Sequence, residues 1–287
     1  MRVAFLGLGQ MGGHMCDHVI AGGHTVTVFD PYAPAVEPRV KAGARAAATP
    51  AEAARDAEAV CVVVRTDAQA LESIAGPNGV LDGAPAGAIV MLHSTVAPET
   101  VRRLNEACIA KGVRFIDAGI SGGESGSLAG TLYLICGGDQ ATIDAAKPVL
   151  QCFAGHVVRF GDIGAGMAAK LARNMMQYTT WVATYEAVAL AQAAGIEVDA
   201  FAHLVRETDV KNTAEFVLAR GQGALLDPAR DAEALRGITA TIGLGFKDLK
   251  DAFHLADEVG ADVALARLAR PRFGYAMGTT ITPDDSV

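Results

Sequence analysis

The sequence predicts an α/β domain followed by an all-α domain, on three observations. Short apolar stretches alternate with helical segments through the first part of the chain. That alternation stops near residue 161. From about Gly164 the chain reads almost entirely as helix. Short strands joined by helices form a parallel sheet covered on both faces. Residues 1–162 are therefore expected to be the α/β domain and residues 163–287 the helical one. Gly161, Gly164 and Gly166 make a hinge-like connection between them.

The elements follow in order. Residues 2–6 read as a buried strand and residues 12–22 as a helix. Thr25 to Phe29 is β-branched and bounded by Gly22-Gly23 and Asp30-Pro31, which makes a second strand. Thr49-Pro50-Ala51-Glu52 starts a helix, with Thr as cap, Pro in the first turn and Glu three residues on. Residues 59–64 form a third strand, apolar on both faces, and residues 67–75 a short helix. Residues 88–92 are a fourth strand, 98–111 a helix, 113–116 a fifth strand and 132–136 a sixth. Beyond the hinge, the stretch from Met167 to Ala194 holds no Pro or Gly. Further helical segments are expected at 198–207, 211–223 and 246–259, with an irregular tail after Arg270.

Composition narrows the function. Of the 287 residues 51% are hydrophobic and 20% charged, enough apolar material for sizeable cores. The net charge is −8 and no Lys/Arg block stands out, which argues against nucleic acid and anionic membranes as partners. The opening residues lack the order of a signal peptide, and no apolar run approaches the ~20 residues of a membrane span, so the expected location is cytoplasmic. The five cysteines are scattered, with no CxxC and no metal-ligand spacing, and read as reduced thiols. His14 and His18 lie four apart on the first helix but lack an evident set of further ligands, so no metal is expected.

Gly7-Leu8-Gly9-Gln10-Met11-Gly12 is a GxGxxG placed after a strand and at the opening of a helix. The first Gly permits the tight turn, the second lets a pyrophosphate approach the backbone, and the third lets helix pack on strand. The helix then offers free N–H groups and a partial positive charge to the phosphates. This is the phosphate turn of a Rossmann domain. Asp30 ends the second strand, where a carboxylate accepts hydrogen bonds from the adenosine ribose and repels a 2′-phosphate. Arg39 and Lys41 lie downstream rather than at the strand end. The expected cofactor is therefore NAD rather than NADP, although a flavin also fits such a motif.

Four motifs together resemble the β-hydroxyacid dehydrogenase family, which is related to 6-phosphogluconate dehydrogenase. They are the opening Gly7-Leu8-Gly9-Gln10-Met11-Gly12-Gly13-His14-Met15; the segment from Asp117 through Ser121-Gly122-Gly123 to Gly130-Thr131-Leu132; Gly164-Ala165-Gly166 with Lys170 and Asn174; and Lys247-Asp248-Leu249. The resemblance implies that Ser121, Gly122 and Gly123 bind a substrate carboxylate, that Lys170 is the catalytic acid/base, and that Asn174 orients substrate or lysine. It places Val64, Arg65, Thr95 and Lys247 with the cofactor, beside Gly7, Gly9, Gln10, Met11, Gly12 and Asp30. It also implies a homodimer or homotetramer.

The residue types suit that chemistry. Ser-Gly-Gly offers a hydroxyl and unobstructed N–H groups to a small anion. Lys170 and Asn174 are four apart on a predicted helix and share a face. Gly166, one turn earlier, is expected to leave room for substrate. A lysine buried beside a cationic ring gives up its proton more readily, as an acid/base near neutral pH requires.

The chain departs from the family pattern at Val64-Arg65, where Leu-Pro is common. It departs also at Gly119-Ile120, expected to loosen the turn before Ser121, at Met175 in place of a second Asn, and at the tail, where no terminal helix is expected. The leading expectation is NAD-dependent interconversion of a small 3-hydroxy acid and its semialdehyde, with 3-hydroxyisobutyrate, tartronate semialdehyde and 4-hydroxybutyrate as candidate compounds. The alternatives are an imine reductase-like enzyme, against which Lys170 counts, and a non-catalytic dinucleotide-binding protein, since a fold alone proves no activity.

Overall fold

The computed structural model describes residues 1–193, 196–208, 225–227, 229, 231–259 and 264–283. The chain divides into two compact units, Met1–Lys170 and Leu171–Val287.

The first unit is built on eight strands: β1 (Arg2–Leu6), β2 (Thr25–Phe29), β3 (Arg45–Ala46), β4 (Ala59–Val62), β5 (Ile89–Leu92), β6 (Arg114–Ser121), β7 (Leu132–Gly137) and β8 (Ala154–Gly161). They form one sheet in the order β3-β2-β1-β4-β5-β6-β7-β8. Strands β1 to β6 are parallel, as the alternation predicts, and β4 and β5 are buried along their whole length. The sheet is not parallel throughout: β7 runs antiparallel to β6. A parallel return needs a crossover of about a dozen residues or more. The link between β6 and β7 carries only the short helix α6 (Gly123–Ala129), so the chain turns straight back.

The helices before that link are α1 (Gln10–Ala21), α2 (Ala33–Lys41), α3 (Pro50–Ala54), α4 (Asp67–Ala75) and α5 (Pro98–Ala110); α7 (Gln140–Leu150) precedes β8. Helices α3 and α4 start on Thr49 and Thr66, whose hydroxyls accept from the N–H groups of Glu52 and Gln69. One apolar cluster joins Phe5, Met15, Val28, Met91, Ile116, Leu134 and Phe153. Helices α2 and α7 were not expected from the sequence; each holds a proline, Pro38 and Pro148, inside it. The edge strand β8 was also not expected, and β6 runs five residues past the predicted 116.

The helix α8 (Ala165–Ala193) begins in the first unit and continues into the second, which also holds α9 (Val198–Thr208), α10 (Ala232–Val259), α11 (Ala264–Ala269) and α12 (Phe273–Ala276). The helix expected at 211–223 lies outside the described residues. Helix α10 starts well before the predicted 246, through Gly237, Gly243 and Gly245. Gly245 has a packing reason: a side chain there would run into the ring of Phe273. Part of the tail after Arg270, expected to be irregular, is helical, over Phe273–Ala276. Phe273 is fully buried in a cluster with Tyr178, Trp181, Ile242 and Phe246. Trp181 and Tyr178 are thus core residues of the second unit. Among the described residues no helix is long and apolar enough to cross a membrane.

Candidate active site

The turn after β1 places three glycines differently. Gly7 has φ +85, and its missing side chain lets the Val63 carbonyl pass against it. Gly12 packs against the Gly7 carbonyl and lies 3.1 Å, from its would-be Cβ, to the Val63 side chain. A side chain at Gly9 would meet nothing within 4 Å, so the backbone there is open to approach. Helix α1 takes Gly9 as its cap, with no side-chain hydrogen bond and no acidic residue in its first turn. Its first N–H groups are therefore left for an anion from outside the chain.

Asp30 stands directly across. Its Oδ2 accepts from the Leu8 N–H at 2.6 Å and its Oδ1 from the Tyr32 N–H at 2.8 Å. These bonds fix the carboxylate and leave lone pairs for ribose hydroxyls. Arg39 does not join it: its guanidinium grips Asp17 through Nε at 2.9 Å and Nη2 at 2.7 Å, over Gly13. Beyond β4 and β5, the Ser94 hydroxyl accepts from the Val64 N–H at 2.8 Å, which ties the Val64-Arg65 loop to the Ser94-Thr95 loop. Arg65 is exposed. The neighbouring His93 is fully buried; its Nδ1 lies 3.0 Å from the Ala118 carbonyl, and burial pulls its pKa down to about 4. Among the described residues its Nε2 has no partner.

Strand β6 carries the next part. Gly119 is a strand residue opposite Ile135, not part of a loosened turn as its sequence suggests. Its would-be Cβ lies 3.2 Å from Cβ and Cγ of Lys170, so the lysine stem lies across this glycine. Ser121 ends the strand two residues later and faces the same side. The chain then turns through Gly122 (φ +128) and Gly123 (φ +61) into α6, left-handed angles that favour glycine. The Ser-Gly-Gly segment is thus a strand end and helix start. Helix α6 is bound to α1: Gln10 Nε2 donates to Glu124 at 2.7 Å, the Ser127 hydroxyl donates to the Met11 carbonyl at 2.8 Å, and His18 Nε2 meets the Leu128 carbonyl at 3.0 Å.

Lys170 is 7% exposed. The helix that carries it is anchored by Asp117 of β6, whose two oxygens accept from the N–H groups of Gly164 at 2.7 Å and Met167 at 2.6 Å. Burial raises the Asp117 pKa, against those backbone bonds. Gly166 serves this docking rather than a substrate: its would-be Cβ would lie 2.5 Å from the Gly137 nitrogen and the Ile135 oxygen.

In the second unit Asn174 is 2% exposed, and its amide donates to Asp248 Oδ2 at 2.5 Å. The Tyr178 hydroxyl donates to the same oxygen at 3.1 Å, and Arg173 donates to Asn174 Oδ1 at 3.2 Å. Lys247 Nζ lies 3.2 Å from Asp248 and 3.6 Å from Asp251. Burial, followed by the charge of Asp248, pushes the Tyr178 phenol well up, so it stays a donor. Sequence reasoning passed over Asp117, Asp248 and Tyr178 as functional candidates. A signal existed: Lys170, Asn174 and Tyr178 recur every four residues on one helix.

The open α1 terminus, the bare approach at Gly9 and the fixed Asp30 carboxylate fit a dinucleotide. The family model for the NAD-binding domain of 6-phosphogluconate dehydrogenase matches residues 2–161, and that for the NAD-binding domain of NADP-dependent 3-hydroxyisobutyrate dehydrogenase matches residues 164–285. A 3-hydroxyisobutyrate dehydrogenase of Pseudomonas aeruginosa is 33% identical over 94% of this chain and 90% of its own length. An NAD-dependent L-serine dehydrogenase of the same organism is 30% identical, over 93% and 89%. The solved structure of a Mycobacterium tuberculosis 3-hydroxyisobutyrate dehydrogenase with L-serine superposes at TM-score 0.79 and 27% identity, over 96% of this chain and 92% of that one. Two family models that follow each other along the chain, and relatives that span nearly all of it, agree with the turn geometry: the chain belongs to the β-hydroxyacid dehydrogenase family, and is an oxidoreductase that uses NAD.

Proposed function

We propose that the protein interconverts a short 3-hydroxy acid and its semialdehyde, using NAD in preference to NADP. The observation that supports this best is the Lys170 stem lying over Gly119, on the face of β6 that also bears Ser121. An amine and an anion cradle on one strand face suit a substrate whose carboxylate and reacting hydroxyl are a few bonds apart. The two named Pseudomonas relatives act on compounds of that kind, since 3-hydroxyisobutyrate and L-serine each carry a carboxylate and a hydroxyl on the third carbon.

Ser121 and the N–H groups of Gly122 and Gly123 hold the carboxylate. Asn174, its amide set by Asp248, orients substrate or lysine. Neutral Lys170 takes the hydroxyl proton onto Nζ as the alcohol is oxidised and returns it in reduction. NAD supplies the acceptor for the hydride that leaves the carbinol carbon. Gly7, Gly9, Gln10, Met11, Gly12, Val64, Arg65, Thr95 and Lys247 serve the cofactor. The NAD preference rests on Asp30, and on Arg39 being held by Asp17 instead of facing a 2′-phosphate. A homodimer or homotetramer covers exposed apolar residues such as Leu265 and Leu268, and light scattering tests it.

The experiment is absorbance at 340 nm with NAD or NADP and a panel of short 3-hydroxy acids, with semialdehydes in reverse. Saturable turnover with NAD supports the reading, and relative kcat/KM names the substrate. No turnover across the panel, with NAD still bound, overturns it in favour of a binding protein.

A further inference from the structure

At the amino edge of the sheet, away from Gly7 and Asp30, lies a cavity of about 170 Å3 lined by Arg2, Thr25, Thr27, Arg45, Asp56 and small apolar residues. Strand register makes it. Val26 and Val28 enter the core, so Thr25 and Thr27 face the other side of the sheet. There Thr25 pairs with Arg2, and Thr27 pairs with Arg45. The opposite wall offers Ala53 and Ala57, buried side chains too small to fill the space.

Its polar groups are largely uncommitted. Arg2 is engaged, with Nε donating to the Asp56 carbonyl at 2.6 Å and Nη1 lying 3.7 Å from Glu58. The Thr25 and Thr27 hydroxyls, the Arg45 guanidinium and the Asp56 carboxylate have no hydrogen-bond or ion-pair partner among the described residues. One wall therefore presents a cation and two hydroxyls, and another a carboxylate. A guanidinium fork matches a carboxylate, and a carboxylate wall needs a donor in return. The volume equals that of roughly five or six waters, the scale of a three- or four-carbon acid.

We propose that this cavity is a second small-molecule site, for a short carboxylate bearing a hydroxyl or ammonium group. The carboxylate meets Arg45 and the threonine hydroxyls, and the donor meets Asp56. The site is separate from the NAD turn and does not depend on the proposed reaction.

L-lactate and propionate are suitable probes, since propionate has the carboxylate without the donor. NMR titration of the NAD-saturated full chain should show saturable lactate binding, tighter than propionate. Arg45→Ala and Thr27→Val should each weaken lactate by about tenfold, with NAD turnover unchanged. Asp56→Asn should narrow the difference between the two acids. The proposal is overturned if lactate does not saturate, if propionate binds as well, or if Arg45→Ala binds lactate normally. It is overturned also if Ser121→Ala abolishes binding, which would place lactate at the Ser-Gly-Gly segment.

Discussion

Two helices of the first unit treat their opening turns in opposite ways. Helix α1 starts on a glycine, with no side-chain cap and no acidic residue in its first turn. Helix α8 starts on a buried carboxylate, Asp117, which accepts from two of its first N–H groups. The physics is shared, because a helix N-terminus carries orphan donors and a partial positive charge. Where the chain supplies the anion itself, the helix is held in place, and Lys170 follows one turn later. Where it withholds the anion, the helix is left to bind one. The first arrangement fixes the backbone that carries Lys170; the second leaves backbone donors open.

The largest effect that separates these roles is expected from Lys170→Ala. Loss of a general acid/base costs about 10²–10⁴ in kcat. NAD affinity, which the proposal assigns to α1, should stay nearly constant by fluorescence titration. Activity within tenfold of wild type would falsify the role of Lys170. Asp117→Asn comes next. It replaces one accepting oxygen with a donor facing an N–H group, and should cost about 2 kcal/mol, a drop in thermal midpoint of roughly 4–8 °C. Its kcat should fall as well, because α8 shifts, while NAD binding holds. A normal midpoint with full activity would mean that Asp117 anchors nothing.

Gly9→Asp makes α1 resemble α8. The site has space for the side chain, and its backbone, at φ −63, suits any residue. An aspartate cap should leave the fold as stable or slightly more so, by about 0.5 kcal/mol. It should weaken NAD about tenfold or more, since the carboxylate takes the N–H groups and repels the pyrophosphate. Stability and affinity thus move in opposite directions. Unchanged NAD affinity would remove the α1 terminus from the cofactor site.

This contrast also explains what was legible in sequence. The α1 site depends on backbone, and backbone needs leave glycines at set spacing: Gly7, Gly9 and Gly12 were readable, as was Asp30 one strand on. The alternation of strands and helices was readable for the same local reason. The α8 anchor depends on contact between residues far apart in the chain. Asp117 read only as a neighbour of Ser-Gly-Gly, because nothing local says that its partners are Gly164 and Met167. Likewise Asp248 meets Asn174 across 74 positions. Gly166 misled because a glycine one turn before a candidate acid/base lysine suggests room for substrate, whereas close packing on β7 accounts for it. Helices α2 and α7 each carry an internal proline, Pro38 and Pro148, which weakens the local helix signal.

The smallest predicted effect tests how finely Lys170 is placed. Gly119 lies in a regular strand, so an alanine there meets no backbone strain. Its methyl group would sit 3.2 Å from both Cβ and Cγ of Lys170, closer than apolar carbons settle. The lysine stem must give by a few tenths of an ångström, or α8 must, and α8 is tied to Asp117 by two bonds. The stem is the freer of the two. Since a misplacement of ~1 Å in a reacting group costs about 10²-fold, a shift this small should cost a few-fold in kcat. KM for NAD and the thermal midpoint should barely move. Serine at 119, of similar size, should behave alike, whereas valine should cost more. If Gly119→Ala instead lowers the midpoint with kcat intact, the glycine serves the packing of α8 and not the placement of its lysine.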